Sequence, residues 1–209
     1  EALGRDIQVR IKECNESSIY LYFFDAQNIF NESTSAYNKS WHVDKVLEEL
    51  NIKATIVGIT SLEQMERVRE YLPGEKGELT GDFLVNTIIP YVEKESKATQ
   101  RIIAGSSMGG VMSLYVGGTY PNLFKGVLAM STAAFDPEAL GHIASLFRKE
   151  NDQKVYLDVG TKETDRPSQN RIYVLANRML KGFLKDNTNL FYLEEKGGVH
   201  DEISWHRRL

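Results

Sequence analysis

A chain of 209 residues, 42% hydrophobic and 26% charged, is long enough for one domain over residues 1–209, burying roughly 70% of the surface that the unfolded chain exposes. Its formal net charge of −4 and its short Arg207-Arg208 cation pair give no basic footprint, and no apolar run approaches a membrane span; nucleic acid and membranes are set aside in favour of a small molecule or another protein. The single cysteine, Cys14, excludes an internal disulfide, and Glu1-Ala2-Leu3-Gly4-Arg5-Asp6 lacks signal-peptide character, so a cytoplasmic location is expected, although a secreted chain freed of its leader would read alike.

In chain order, residues 7–11 alternate as an edge strand does, and residues 19–24 form a continuous apolar run suited to burial on both faces. Residues 41–50 read as a helix with Val43, Val46, Leu47 and Leu50 on one side, followed by a strand over 54–59. Residues 60–80 read as a long irregular or partly helical insert, the kind of connection that borders a site. A helix over 81–95 follows, with Leu84, Val85, Ile88, Ile89 and Val92 at helical spacing, interrupted and kinked at Pro90. Residues 108–120 make a helix rich in small residues that Pro121 stops. Strands over 126–130, 155–159 and 190–193 then alternate with helices over 137–149 and 168–185. This alternation, without repeats or linkers, predicts an α/β fold with a mostly parallel central sheet.

Gly105-Ser106-Ser107-Met108-Gly109-Gly110 places a serine in G-x-S-x-G between the apolar run Arg101-Ile102-Ile103-Ala104 and a helix. That is the form of a nucleophile elbow, in which the glycines are needed because side chains there collide with the neighbouring strand or helix. Ser107 is therefore the candidate nucleophile. Its hydroxyl needs a base, and the base an orienting acid. Three histidines follow it. His142 falls within a predicted helix and His206 on a predicted terminal one, where structural roles are the plainer reading. His200 follows the last strand and the Gly197-Gly198-Val199 turn, where a loop reaches the carboxyl edge of the sheet, and it is the candidate base.

The acid is expected after the preceding strand, because catalytic groups in open parallel sheets gather beyond the strands' carboxyl ends. Asp158 lies inside that strand and suits a structural hydrogen bond, which leaves Glu163 and Asp165 in the loop. Reach separates them, and Glu163 is ranked ahead of Asp165 as the alternative acid. Ser107, then the acid, then His200 reproduces the chain order of α/β-hydrolases. For the oxyanion hole, the Met108 amide at the helix start is one donor, and Ala26 and Gln27, in the loop after the early buried strand, are nominated jointly for the other.

These residues resemble the putative esterase family of serine α/β-hydrolases, the group that includes esterase D-like S-formylglutathione hydrolases, feruloyl and acetyl esterases and enterochelin esterase-like siderophore esterases. The likeness spans nearly the whole chain. It is carried by Tyr22-Phe23-Phe24-Asp25-Ala26-Gln27-Asn28-Ile29-Phe30, Ser40-Trp41-His42-Val43-Asp44, Arg69-Glu70-Tyr71-Leu72-Pro73, the segment from Ala104 to Gly110, the segment from Tyr156 to Glu163, and Gly197-Gly198-Val199-His200-Asp201 with Trp205. The resemblance implies an α/β-hydrolase fold with helices on both faces and little or no cap domain. It also implies Ser107 and His200 as catalytic, Glu163 over Asp165 as acid, and an esterase rather than a peptidase. No metal or organic cofactor is implied, and the partner is a small-molecule ester. Where the family usually has glycine this chain has Ala26, a strained residue if that position needs positive φ. Trp41 is a possible pocket residue, with a core role the plainer reading. A thioesterase or S-formylglutathione hydrolase with the same triad, and a catalytically inert hydrolase-fold binding protein, are the alternatives.

Overall fold

The computed structural model describes residues 3–35, 38–62, 64–94 and 98–209. Seven strands, β1 (Val9–Lys12), β2 (Ile19–Phe24), β3 (Thr55–Ile59), β4 (Gln100–Ser106), β5 (Gly126–Met130), β6 (Lys154–Gly160) and β7 (Asn189–Glu195), form one sheet in the order β1-β3-β2-β4-β5-β6-β7. Among the described residues only β1 runs antiparallel, pairing Val9 with Ile59; the other strands are parallel to their neighbours. The crossovers carry α1 (Val43–Glu49), α2 (Gln64–Tyr71), α3 (Glu75–Phe83), α4 (Ile89–Val92), α5 (Met108–Thr119), α6 (Pro137–Ser145) and α7 (Pro167–Leu184), and α8 (Glu202–Arg208) follows β7.

The two-residue period of the strands sorts the core into two layers. Tyr20, Tyr22 and Phe24 of β2 join Val57 and Ile59 of β3 on the face covered by α5, α6 and α7. Phe23 and Ile56 point the other way, into a smaller cluster with Val43 and Leu47 of α1 and Trp205 of α8. Helix α5, under the middle of the sheet, is buried from Gly109 to Gly118. Its glycines permit this: a Cβ at Gly117 would lie 2.3 Å from Val127 Cγ2. The result is a mostly parallel sheet covered by helices on both faces, as the strand and helix alternation predicts.

Three stretches differ from the sequence reading. The 60–80 insert is largely helical, with α2 and the start of α3 separated by a turn at residues 72–74; its many charged residues conceal a helix whose buried face is narrow. The interruption expected at Pro90 takes the form of a widened turn just before it. Leu84–Ile88 is π-helical, and the Ile89 amide bonds back to Leu84 O. This change of register accommodates a proline that cannot donate, while the chain stays helical through it. Glu95, expected to end this helix, lies outside the described residues. The helix expected over 137–149 ends at Ser145, where Leu146 and Phe147 turn back onto Ile143 and Ala144.

Candidate active site

The G-x-S-x-G segment bridges β4 and α5. Ser107 has φ 56 and ψ −123, a conformation costly for a side-chain-bearing residue that persists only where its surroundings enforce it. Here the enforcement comes from the end of β5: the Ser107 N–H donates to Met130 O at 2.8 Å, and the Ala133 N–H donates to Ser107 O at 3.1 Å. The flanking glycines leave the turn no slack. A Cβ at Gly105 would stand 2.4 Å from Gly109 O, and one at Gly109 would stand 2.9 Å from Asp25 Oδ2.

Glu163, in the β6–α7 loop, is buried, and its Oε2 lies 2.7 Å from His200 Nδ1. Its other oxygen accepts from Ser131 Oγ at 2.7 Å and from the Gly160 N–H. With a carboxylate at Nδ1, that nitrogen carries the proton and Nε2 is left with the lone pair a general base needs. Among the described residues no hydrogen bond joins His200 to the Ser107 hydroxyl. Contacts of this kind tighten when substrate binds. Asp165, by contrast, is exposed and has no hydrogen bond among the described residues, so of the two loop carboxylates Glu163 is the one brought to His200. The imidazole is flanked by Trp205, edge-on at 4.9 Å, and by Tyr173 at 5.2 Å. Burial first, and then the nearby Glu163 charge, pushes the Tyr173 hydroxyl up to about 12.

The loop nominated for the second oxyanion donor packs against the first turn of α5. Asp25 takes the left-handed conformation (φ 61, ψ 50), and a short 3-10 turn over Ala26–Asn28 follows. Ala26 is not among the residues of positive φ, so the condition for strain at alanine is not met there; the left-handed residue of this loop is Asp25. A bidentate ion pair from Arg67 of α2 (2.8 and 2.6 Å) holds the Asp25 carboxylate, and the Asp25 N–H donates to Tyr71 Oη at 3.3 Å. Burial, aided by the Asp25 charge, raises the Tyr71 hydroxyl well above its ordinary value. Neither the Ala26 nor the Gln27 amide is hydrogen-bonded among the described residues, and the Met108 N–H opens α5, where the first amides have no intrahelical partner.

Trp41 stands in the core rather than on a pocket wall. It is 3% exposed and packs edge-on to Phe23 and against Trp205. His206 is held by Trp41, its Nδ1 donating to Trp41 O at 2.6 Å, and His142 stays on α6. Asp158 is fully buried, accepting from the Ser131 N–H and paired with Arg208. Burial pushes its carboxyl up to about 6 against the opposing pull of Arg208. Ser131 and Arg208 gave no sequence signal, since nothing local marks a serine after a strand or an arginine in a terminal helix as neighbours of a loop carboxylate. A cavity of about 440 Å³ lies on the outer side of the Glu163 loop, lined by Thr161, Lys162 and α7 residues including Arg171 and Leu175. Ser107 does not line it. Among the described residues no group of three His, Cys, Asp or Glu side chains could hold a metal ion, and no helix is long and apolar enough to cross a membrane.

The architecture has close counterparts among solved structures. Enterobactin esterase FES from Shigella flexneri superposes with a TM-score of 0.74 at 20% identity, covering 99% of this chain and 54% of that one. An IroE-like serine hydrolase from Shewanella oneidensis superposes with a TM-score of 0.75 at 15% identity, covering 98% and 73%. At these identities the likeness is one of fold, and the chain spans about half the length of the Shigella esterase. In sequence, the uncharacterized protein YjcH of Bacillus subtilis (strain 168) is 26% identical over 207 residues, which are 91% of this chain and 82% of that protein. The description "Putative esterase" matches residues 1–209: the chain belongs to the putative esterase family and has the α/β-hydrolase fold.

Proposed function

We propose that the chain hydrolyses a small-molecule carboxylic ester through an acyl-Ser107 intermediate. His200 Nε2 takes the Ser107 proton as Oγ attacks the ester carbonyl. The Met108 amide, with that of Ala26 or Gln27, holds the oxyanion; His200 then protonates the leaving alcohol and activates the water that frees the acid. Glu163 fixes the imidazole and balances the charge it gains. The single observation that carries this reading is the 2.7 Å bond between His200 Nδ1 and buried Glu163, on the same rim of the sheet as a strained serine elbow.

The test is hydrolysis of short p-nitrophenyl acyl esters. Ser107→Ala is expected to lower kcat by on the order of 10⁴-fold or more, and equal rates in the variant and the parent would remove the assignment. Glu163→Ala is expected to lose far more than Asp165→Ala, and the reverse ranking would move the acid. Side-by-side rates on a thioester, a feruloyl ester, an acetylated sugar and a catecholate siderophore then set the acyl and alcohol preference.

A further inference from the structure

Behind the proposed triad acid, three partners converge on one hydroxyl. Ser131 follows the last residue of β5, is fully buried and takes φ 46. Its Oγ lies 2.7 Å from Glu163 Oε1, 3.0 Å from Trp205 Nε1 and 3.0 Å from Arg208 Nη2. An indole N–H and a guanidinium can only donate, so they take up the two lone pairs of the hydroxyl. Its one proton is left with Glu163 Oε1 as acceptor. The direction of that hydrogen bond is therefore fixed by chemistry rather than by rotamer preference.

We infer that Ser131 is a positioning residue for the reaction: its hydroxyl, oriented by Trp205 and Arg208 of α8, aims the Glu163 carboxylate at His200. The inference rests on the Ser107–Glu163–His200 reading. With Ser131 and the Gly160 amide both on Oε1, Oε2 is the oxygen presented to the imidazole. The support is itself anchored. The Ser131 N–H donates to Asp158 O and Oδ1, each at 3.0 Å, and Arg208 is balanced by Asp158 at 3.2 Å and Glu195 at 3.5 Å. Trp205 also lies edge-on to the His200 ring, so one helix steadies both the acid's support and the base. Alanine at 131 would strand two buried donors, and threonine would add a β-branch where φ is positive.

A double-mutant cycle on the full chain, read with a p-nitrophenyl ester, tests this role. Glycine suits the positive φ at 131 and, like alanine, removes the hydroxyl and leaves the Trp205 and Arg208 donors without it. Ser131→Gly is expected to lower kcat by roughly 10–100-fold, the size seen when a support group misaligns a reacting one, with KM within about twofold. In a Glu163→Gln background the same substitution is expected to cost less than about threefold, because the two residues act as a unit. A full, additive loss in that background, a loss confined to KM, or wild-type turnover in Ser131→Gly overturns the inference alone. If Glu163→Gln by itself leaves kcat intact, the triad falls and the role of Ser131 with it. Should Ser131→Gly not fold, as judged by its melting transition, Trp205→Phe serves in the same cycle. It frees one lone pair of the hydroxyl and is expected to cost kcat about 3–10-fold in the Glu163 background and little in Glu163→Gln; equal costs in the two backgrounds overturn the inference.

Discussion

Gly105→Ala tests whether the elbow owes its geometry to the contact between β4 and the first turn of α5. The new Cβ would stand 2.4 Å from Gly109 O and 2.5 Å from Gly109 C. An ordinary contact lies about 1 Å further out, and what must yield is backbone rather than a rotatable side chain. Overpacking of this kind costs about 1–3 kcal/mol. The turn that must move carries the Met108 amide and directly follows Ser107, so relief of the clash shifts the proposed nucleophile relative to His200. A misplacement near 1 Å is worth about 100-fold in rate. Gly117→Ala, at the far end of the same helix, is the control. Its Cβ would meet Val127 Cγ2 at 2.3 Å, a clash that disturbs the core but not the elbow. Melting transitions and kcat on p-nitrophenyl acetate are measured for both. Gly105→Ala is expected to lose stability and turnover, and Gly117→Ala to lose stability while folded enzyme keeps its kcat. Wild-type kcat in Gly105→Ala, or equal kcat losses in both variants, would refute the reasoning.

Asp158 gives a pH signature: because burial raises its carboxyl from the ordinary 3.8 to about 6, its contribution to stability is fully present below about 3.8 and lost as pH rises through about 6. The stability deficit of Asp158→Asn relative to the parent is therefore expected to shrink between pH 4 and pH 7 in denaturant titrations, and a deficit that grows with pH would show that the ion pair with Arg208 outweighs burial. Gly141 of α6 and Gly182 of α7 would each carry a Cβ with nothing within 4 Å of it, so Gly141→Ala with Gly182→Ala is expected to add about 1–2 kcal/mol by helix propensity and leave kcat unchanged; destabilisation would contradict it. Arg67→Ala removes the bidentate clamp on Asp25 and is expected to lower kcat more than it raises KM, by loosening the loop of Ala26 and Gln27; a pure KM effect would assign Arg67 to substrate binding instead.

Much of this architecture is legible in the residues because strands buried on both faces are written as continuous apolar runs. β2 and β5 keep the bounds their composition predicts, Ile19–Phe24 and Gly126–Met130. Helix α2 is not legible in the same way: Arg67, Arg69 and Glu70 serve ion pairs rather than a wide apolar stripe, so periodicity is weak. In the site, the elbow is a local motif, and the order of the other groups follows from the parallel topology. The choice between Glu163 and Asp165 depends on which carboxylate turns inward, a matter of two residues in one loop. Ser131 lies 32 residues from Glu163, 74 from Trp205 and 77 from Arg208. No window of sequence brings those partners together; only the register of β5 beside β6 and the return of α8 do.

Trp41, a core residue, also acts as a strut. Its N–H donates to Asn28 O, at the end of the loop holding Ala26 and Gln27, and its carbonyl accepts from His206 of α8, while its indole packs on Trp205. The loop of Ala26 and Gln27 and helix α8 are thereby joined through one residue on the opposite layer of the sheet. The entropic cost of aligning them is met as the chain folds, so an incoming ester need not supply it. On the proposed mechanism, a tetrahedral mimic such as an alkyl boronic acid finds its seat already formed.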